Sequence, residues 1–212
     1  MKKKVLYIIL FIVIILTITG CRGKISSKES VKEYLKENYP NEKFKIEFYD
    51  SVKLKSSTGN CSEVKGNTWE VTSKETGISF YVQDDYTFDA FFCEYKLTDD
   101  YFDVYLSKVI DEMDDSRIII NEVHKNIVDE ETGYGYLSSI NGIKLDVNDF
   151  TTQEELADFI ISLKKELLED SIIKEKLPSY FYFDIYNGDD VICSISFHSA
   201  NSKEYIIEKL NE

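Results

Sequence analysis

Residues 151–170 read TTQEELADFIISLKKELLED and contain the clearest secondary-structure signal in the chain. Thr151 and Glu154 fit the S/T-x-x-E capping box with which many helices begin. Lysine and glutamate occupy one side of the predicted helix. Apolar residues recur at helical spacing on the other side: Leu156, Phe159, Ile160, Leu163 and Leu167. This period predicts an amphipathic helix that buries one face in a core.

A strand pair is predicted immediately after this helix, in residues 180–198. Three apolar side chains share one face of the first strand: Phe181, Phe183 and Ile185. To meet the apolar face of the second strand, Ile185 must lie opposite Val191, because side chains alternate between faces. The pattern therefore predicts a three-residue connection, Asn187-Gly188-Asp189, or a five-residue one, with Gly188 or its neighbour at positive φ.

The other face of the first strand carries three tyrosines: Tyr180, Tyr182 and Tyr186. Tyrosine combines a large apolar ring with a polar tip, so it suits both a packed layer and a wet binding surface. These residues are either covered by a helix or exposed as a possible binding strip.

The rest of the chain mixes helix and strand patterns. Two further capping boxes, Ser26 to Glu29 and Ser30 to Glu33, precede an apolar stripe that ends at Pro40. Further elements are predicted in this order: strands at 44–48, 69–71, 78–82 and 87–96, a helix from 98 to about 114, strands at 117–123, 133–137 and 142–147, and a helix at 202–210. Because no regular βαβ order is visible, the sequence predicts an α+β fold with mostly antiparallel sheet packed against a few amphipathic helices.

Two lobes are predicted from the order of these elements. Residues 29–115 and residues 116–212 each contain helical and strand patterns. No residue-level repeat relates the two, so a single domain over residues 29–212 is the alternative.

The N-terminus reads MKKKVLYIILFIVIILTITGC, with three lysines, an apolar run and a small-residue exit to Cys21. The apolar run is shorter than the about 20 residues of a membrane-spanning helix. These are the parts of an export signal. The segment Ile18-Thr19-Gly20-Cys21 resembles the lipobox of bacterial lipoproteins; a membrane anchor with an incidental cysteine is the alternative.

The resemblance implies that residues 1–20 are a lipoprotein signal peptide. Cys21 then carries diacylglycerol and a further acyl chain such as palmitate, which attaches the protein to the extracytoplasmic face of the cell membrane. Residues 21–28 would form a short tether, because the next helical pattern begins at once. The folded part is therefore expected close to the lipid surface.

The formal net charge is −14, from 39 acidic and 25 basic residues. This excess argues against nucleic acid, whose binding depends on lysine and arginine at phosphates. It also argues against a chain that lies flat on anionic lipid. A cationic protein or peptide is the partner that such a surface would attract.

Three cysteines remain after Cys21: Cys61, Cys93 and Cys193. A Cys61–Cys93 disulfide is possible and would close a loop worth about 3–4 kcal/mol. The alternative is three free thiols.

The sequence contains no recognisable catalytic, metal or cofactor motif. His124 and His198 have no ligand-spaced partners, and Asp146-Val147-Asn148-Asp149 lacks the glycine and distal glutamate of a calcium loop. The predicted function is a membrane-anchored extracytoplasmic lipoprotein that binds a protein or peptide without catalysis, as an immunity or accessory protein. Two alternatives are a small-ligand-binding lipoprotein of a transporter and an envelope hydrolase, which would need a histidine near a carboxylate.

Overall fold

The computed structural model describes residues 24–54, 64–89, 92–120, 127–135 and 137–212, with the backbone alone at 87–89 and 92–94. These residues form five α-helices and seven strands in two sheets, which confirms the predicted α+β class. The chain divides into two compact units, Met1–Asp100 with Lys125–Leu137, and Tyr101–His124 with Ser138–Glu212. In this division the helix at 101–113 belongs to the second unit, whereas the lobe boundary predicted at residue 115 lies after it.

The first unit is a helix on an antiparallel sheet. Its elements are α1 (Lys28–Asn38), β1 (Phe44–Leu54), β2 (Val64–Ser73), β3 (Ser79–Asp89) and β4 (Phe92–Asp99). The strands pair in chain order, β1-β2-β3-β4, so β1 and β4 are the edges. Val31 and Leu35 of α1 are buried, and Tyr39 packs edge-on against Phe80 of the sheet. The single strand predicted at 87–96 is wrong, because Phe88 of β3 pairs with Cys93 of β4.

The second unit contains α2 (Tyr101–Met113), β5 (Gly142–Asp146), α3 (Gln153–Glu169), α4 (Ser171–Lys176), β6 (Tyr182–Asn187), β7 (Asp190–Ser196) and α5 (Lys203–Leu210). Its sheet has the order β5-β6-β7. Strands β5 and β6 are parallel neighbours joined through α3 and α4, which is one βαβ unit that the sequence pattern does not predict. The predicted stripe of α3 is buried, except that Phe159 is only half-buried.

The hairpin β6–β7 brings together the two apolar faces by a different route from the one predicted. Phe183 pairs with Ile195 and Ile185 with Cys193, so the predicted pairing of Ile185 with Val191 is wrong. The register shifts after Ile185, and the extra residue is Ile192, which forms a β-bulge. The bulge adds the extra residue that the prediction placed in the turn. The turn itself therefore contains only Gly188 and Asp189, and Gly188 has the expected positive φ, 62°.

The helix starts are specified by caps one position away from those predicted. The Oγ of Ser27 accepts the N–H of Ser30, whose own Oγ accepts the N–H of Ser27. Thr152 likewise caps α3 by accepting the N–H of Glu155 at 3.1 Å. The side chain of Glu155 returns to the N–H of Thr151 at 2.8 Å. At α1 the capping box therefore uses Ser30 in place of a glutamate, and at α3 the glutamate reaches the residue before the N-cap, so the predicted S/T-x-x-E boxes are wrong in position.

Two further predicted strands form only isolated bridges in their described parts. Ile119 bridges Lys144 of β5, and Gly135 bridges Val128. No helix in the described residues combines the length and the apolar character needed to cross a bilayer.

Candidate functional site

Ser26, near the start of the described residues, contacts the four-stranded sheet through all three of its polar groups. Its N–H donates to both carboxylate oxygens of Asp84 at 3.1 Å, and its carbonyl accepts from Nδ2 of Asn67 at 3.0 Å. Its Oγ accepts the indole N–H of Trp69 at 2.9 Å. We call these four residues the Ser26 clasp. Cys21 lies outside the described residues, but only five positions separate it from Ser26, so a chain between them spans at most about 17 Å.

Asp84 is the charged member of the Ser26 clasp and is 1% exposed. Its carboxylate also accepts the N–H of Asn67 at 2.7 Å, so it satisfies two backbone donors. Burial raises the pKa of Asp84, and the hydrogen bonds from the Asn67 and Ser26 backbones offset part of that rise. The attachment of the N-terminal segment is therefore linked to a carboxyl group that burial makes easier to protonate.

The predicted tyrosine strip lies on the outer face of the sheet in the second unit, opposite the core. Tyr182 is 37% exposed, and Tyr180, in the turn before β6, is 59% exposed. The alternative in which a helix covers these tyrosines is therefore wrong for both. Tyr186 is half-buried, and Nζ of Lys144 lies 5.8 Å from its ring centroid. The three tyrosines are thus partly to largely accessible from one side of β6.

Acidic and apolar side chains surround the tyrosine strip. Asp184 lies between Tyr182 and Tyr186 on β6 and accepts a hydrogen bond from Oγ of Ser194 on β7. Further carboxylates lie at the turn end of the sheet: Asp146, Asp189 and Asp190. Val191 and Ile192 are 56% and 44% exposed. The face therefore combines aromatic rings, aliphatic contacts and a negative charge, a combination that suits a cationic amphipathic ligand.

A cleft of about 670 Å³ lies in the first unit, and the three tyrosines do not line it. Its walls come from α1, β1 and the connections beside them. Lysine is the commonest residue in its lining. The acidic composition of the whole chain does not predict such a basic cleft. The available signal was the i, i+4, i+8 spacing of Lys28, Lys32 and Lys36, which places all three on one side of a helix.

The described residues offer little chemistry at histidine or cysteine. His198 is exposed, and its Nε2 lies 3.3 Å from the carbonyl oxygen of Pro178. Cys193 is a free, half-buried thiol whose pKa is raised by burial. No three His, Cys, Asp or Glu residues cluster as metal ligands in the part of the chain that the structure describes. His124, Cys61 and the side chain of Cys93 lie outside the described residues, so the Cys61–Cys93 disulfide stays a prediction.

Compared with protein-family models, with curated proteins and with solved structures, the chain shows no significant match.

Proposed function

We propose that the protein is an extracytoplasmic lipoprotein, held on the cell membrane by lipid on Cys21, that binds a protein or peptide partner without catalysis. The observation that carries the anchoring is the lipobox-like Ile18-Thr19-Gly20-Cys21 after a basic and apolar leader. The Ser26 clasp supports it, because it ties the chain to the fold five positions after the cysteine. Two or more acyl chains hold a protein on a bilayer stably, since each buried methylene contributes about 0.8 kcal/mol.

The exposed face around Tyr182 supports the binding role. The tyrosine rings on this face offer a large apolar contact area and lose little side-chain entropy on binding. The carboxylates beside them favour a positively charged partner. We therefore assign the tyrosine strip as the contact surface for a cationic protein or peptide, as in an immunity or accessory lipoprotein.

The anchor is tested by intact mass and by metabolic labelling with palmitate in a bacterium that processes lipoproteins. The natural chain should lose residues 1–20 and gain the mass of diacylglycerol and an acyl group. The Cys21→Ala variant should take up no label. A mature chain that retains its leader, or that is released without detergent, would contradict the proposal.

The binding face is tested with a fluorescent ten-residue peptide of alternating lysine and leucine. The full chain in detergent should bind it, and the Tyr180→Ser/Tyr182→Ser variant should bind at least about tenfold more weakly, because aromatic contacts of this kind contribute about 1 kcal/mol each. Tyr49→Ser is the matched control, since Tyr49 is 43% exposed on the first unit. Unchanged affinity in the double variant would show that the peptide binds by net charge alone, and equal loss in both variants would show that it binds exposed tyrosines without preference for this face.

A further inference from the structure

The cleft of the first unit concentrates positive charge in a chain whose formal net charge is −14. Six lysines and two glutamates line it, with a partly apolar floor from Leu35, Phe44 and Ile46. All six lysines are exposed: Lys28, Lys32, Lys36, Lys43, Lys45 and Lys74. We call this cleft the lysine groove.

The backbone fixes where these lysines stand. Three of them follow one another along one side of α1, one helical turn apart. Across the groove, the N–H of Lys74 donates to the carbonyl of Lys43 at 2.8 Å, which holds the ends of two strands together. The N–H of Lys43 also donates to Oε2 of Glu75 at 2.8 Å. The charges are therefore mounted on regular, hydrogen-bonded segments on both sides.

Within the described residues, most of these lysines have no carboxylate at ion-pair distance. Lys45 pairs with Glu47 at 2.6 Å. For the other five, no carboxylate lies within ion-pair distance among the described residues. Like charges held side by side repel one another, so the arrangement favours an anionic occupant.

We propose that the lysine groove binds the phosphate-bearing headgroup of an anionic phospholipid. This inference rests on the proposed function, because lipid on Cys21 is what brings α1 to the bilayer. Lys28 lies seven positions after Cys21 and two after Ser26, so the groove starts where the tether ends. Lysine ammonium groups are mobile point charges, which suit phosphates whose positions vary at a lipid surface. The apolar floor can contact the glycerol backbone, and the lysine stems can lie along it.

The same phosphate chemistry could come from free phosphate in solution, and the volume of about 670 Å³ would accept either source. The position of the groove close to Cys21 favours the lipid over free phosphate. Screening limits electrostatic attraction to about 8 Å at physiological salt, so a groove attached near the bilayer meets headgroups first.

Lysine acetylation mapped by mass spectrometry tests the proposal on the full chain, without mutation. The detergent-solubilised protein is added to preformed vesicles of phosphatidylcholine, or to vesicles in which about a third of the lipid is phosphatidylglycerol. The groove lysines should react at least about fivefold more slowly on the anionic vesicles, the factor expected for one lysine at a charged surface. High salt should restore their reactivity. Lys108, Lys165 and Lys174, exposed on helices of the second unit, are internal controls and should change less than about twofold.

Equal protection of groove and control lysines on anionic vesicles would overturn the proposal. Equal protection of the groove by inorganic phosphate with phosphatidylcholine vesicles would also overturn it, because the source would then be soluble. The intact mass of the same sample reports lipidation separately. A chain that keeps its leader would therefore contradict the anchor while leaving the groove result interpretable.

Discussion

Replacing Asp84 with asparagine should weaken the Ser26 clasp by a predictable amount. The N–H groups of Ser26 and Asn67 share Oδ2 of Asp84, and the N–H of Ser26 also reaches Oδ1. An amide turns one of these oxygens into an NH2 donor, which then faces a backbone N–H instead of an acceptor. A buried donor left without an acceptor costs about 1–3 kcal/mol. Removing a buried charge returns part of this, so we expect Asp84→Asn to lower the free energy of unfolding of the first unit by about 1–2 kcal/mol at pH 7.

The same substitution should change how stability depends on pH. Burial raises the pKa of Asp84, so the folded state holds this proton more tightly than the unfolded chain, whose carboxyl has the ordinary value of 3.8. The stabilisation from this group is complete below that value and is lost as the pH rises through the folded pKa. Asparagine does not titrate. The difference in unfolding free energy between natural and variant chains should therefore be largest near pH 4 and smaller at pH 7.

Urea unfolding followed by tryptophan fluorescence measures this effect, because Trp69 is the single tryptophan and donates to Ser26. Asp85→Asn is the control, since Asp85 is the exposed neighbour on the same strand, and it should shift stability by less than about 0.5 kcal/mol. If both variants unfold alike at every pH, or if the gap widens as the pH rises, Asp84 does not stabilise the clasp in the way proposed.

Three further substitutions test the packing. Gly142→Ala should lower the free energy of unfolding by about 3 kcal/mol in thermal unfolding, because a Cβ there would lie 2.5 Å from a carbonyl oxygen on β6. The control Gly77→Ala, at φ 70° in open space, should lower it by only about 1 kcal/mol. Equal losses in the two variants would refute the clash at Gly142. Tyr34→Phe should cost about 2 kcal/mol in urea unfolding, because the hydroxyl donates to the Asp99 carboxylate at 2.6 Å; no change would show that water replaces this bond freely. Arg117→Ala should lower the free energy of unfolding by about 1–2 kcal/mol, because it removes the bidentate ion pair with Asp115 and the cation–π contact at 4.1 Å to the ring of Phe159. Arg117→Lys should recover less than half of this loss, because lysine has no planar guanidinium. Full recovery with lysine would contradict that role.

The elements with strong local periods could be predicted from the sequence. The stripe of α3 and the alternation of β6 and β7 are each encoded within a short window, so their type and their buried faces follow without tertiary information. The caps were misplaced by one position because Ser26, Ser27, Thr151 and Thr152 offer neighbouring hydroxyls. Only the folded backbone decides which hydroxyl reaches the third N–H.

Features that depend on distant residues could not be predicted. The parallel pairing of β5 with β6 joins segments on either side of two helices, and neither strand's pattern specifies its neighbour. The bulge at Ile192 could not be predicted, because Val191, Cys193 and Ile195 alternate in the sequence as in an unbroken strand. The alternating pattern places Tyr180, Tyr182 and Tyr186 on one face of a strand, but their exposure depends on which side of the sheet the helices occupy.

The lysine groove shows why a total charge is a poor guide to a local surface. Its lysines come from α1, from the start of β1 and from the turn after β2, and glutamates elsewhere outnumber them in the sum. An expectation drawn from net charge, such as the one against a chain that lies flat on anionic lipid, averages over these positions. Only the fold places the six lysines around one cleft.

The irregularity at Ile192 has a consequence for crowding. β7 is an edge strand, and exposed edges with apolar side chains such as Val191 can recruit the same strand from another molecule. With the proposed lipid anchor, copies of the protein would diffuse in two dimensions and collide often. The bulge interrupts the regular spacing of N–H and C=O groups along β7, so a strand of another copy cannot pair with it along its whole length. Neighbouring copies can therefore touch and separate without forming a continuous sheet.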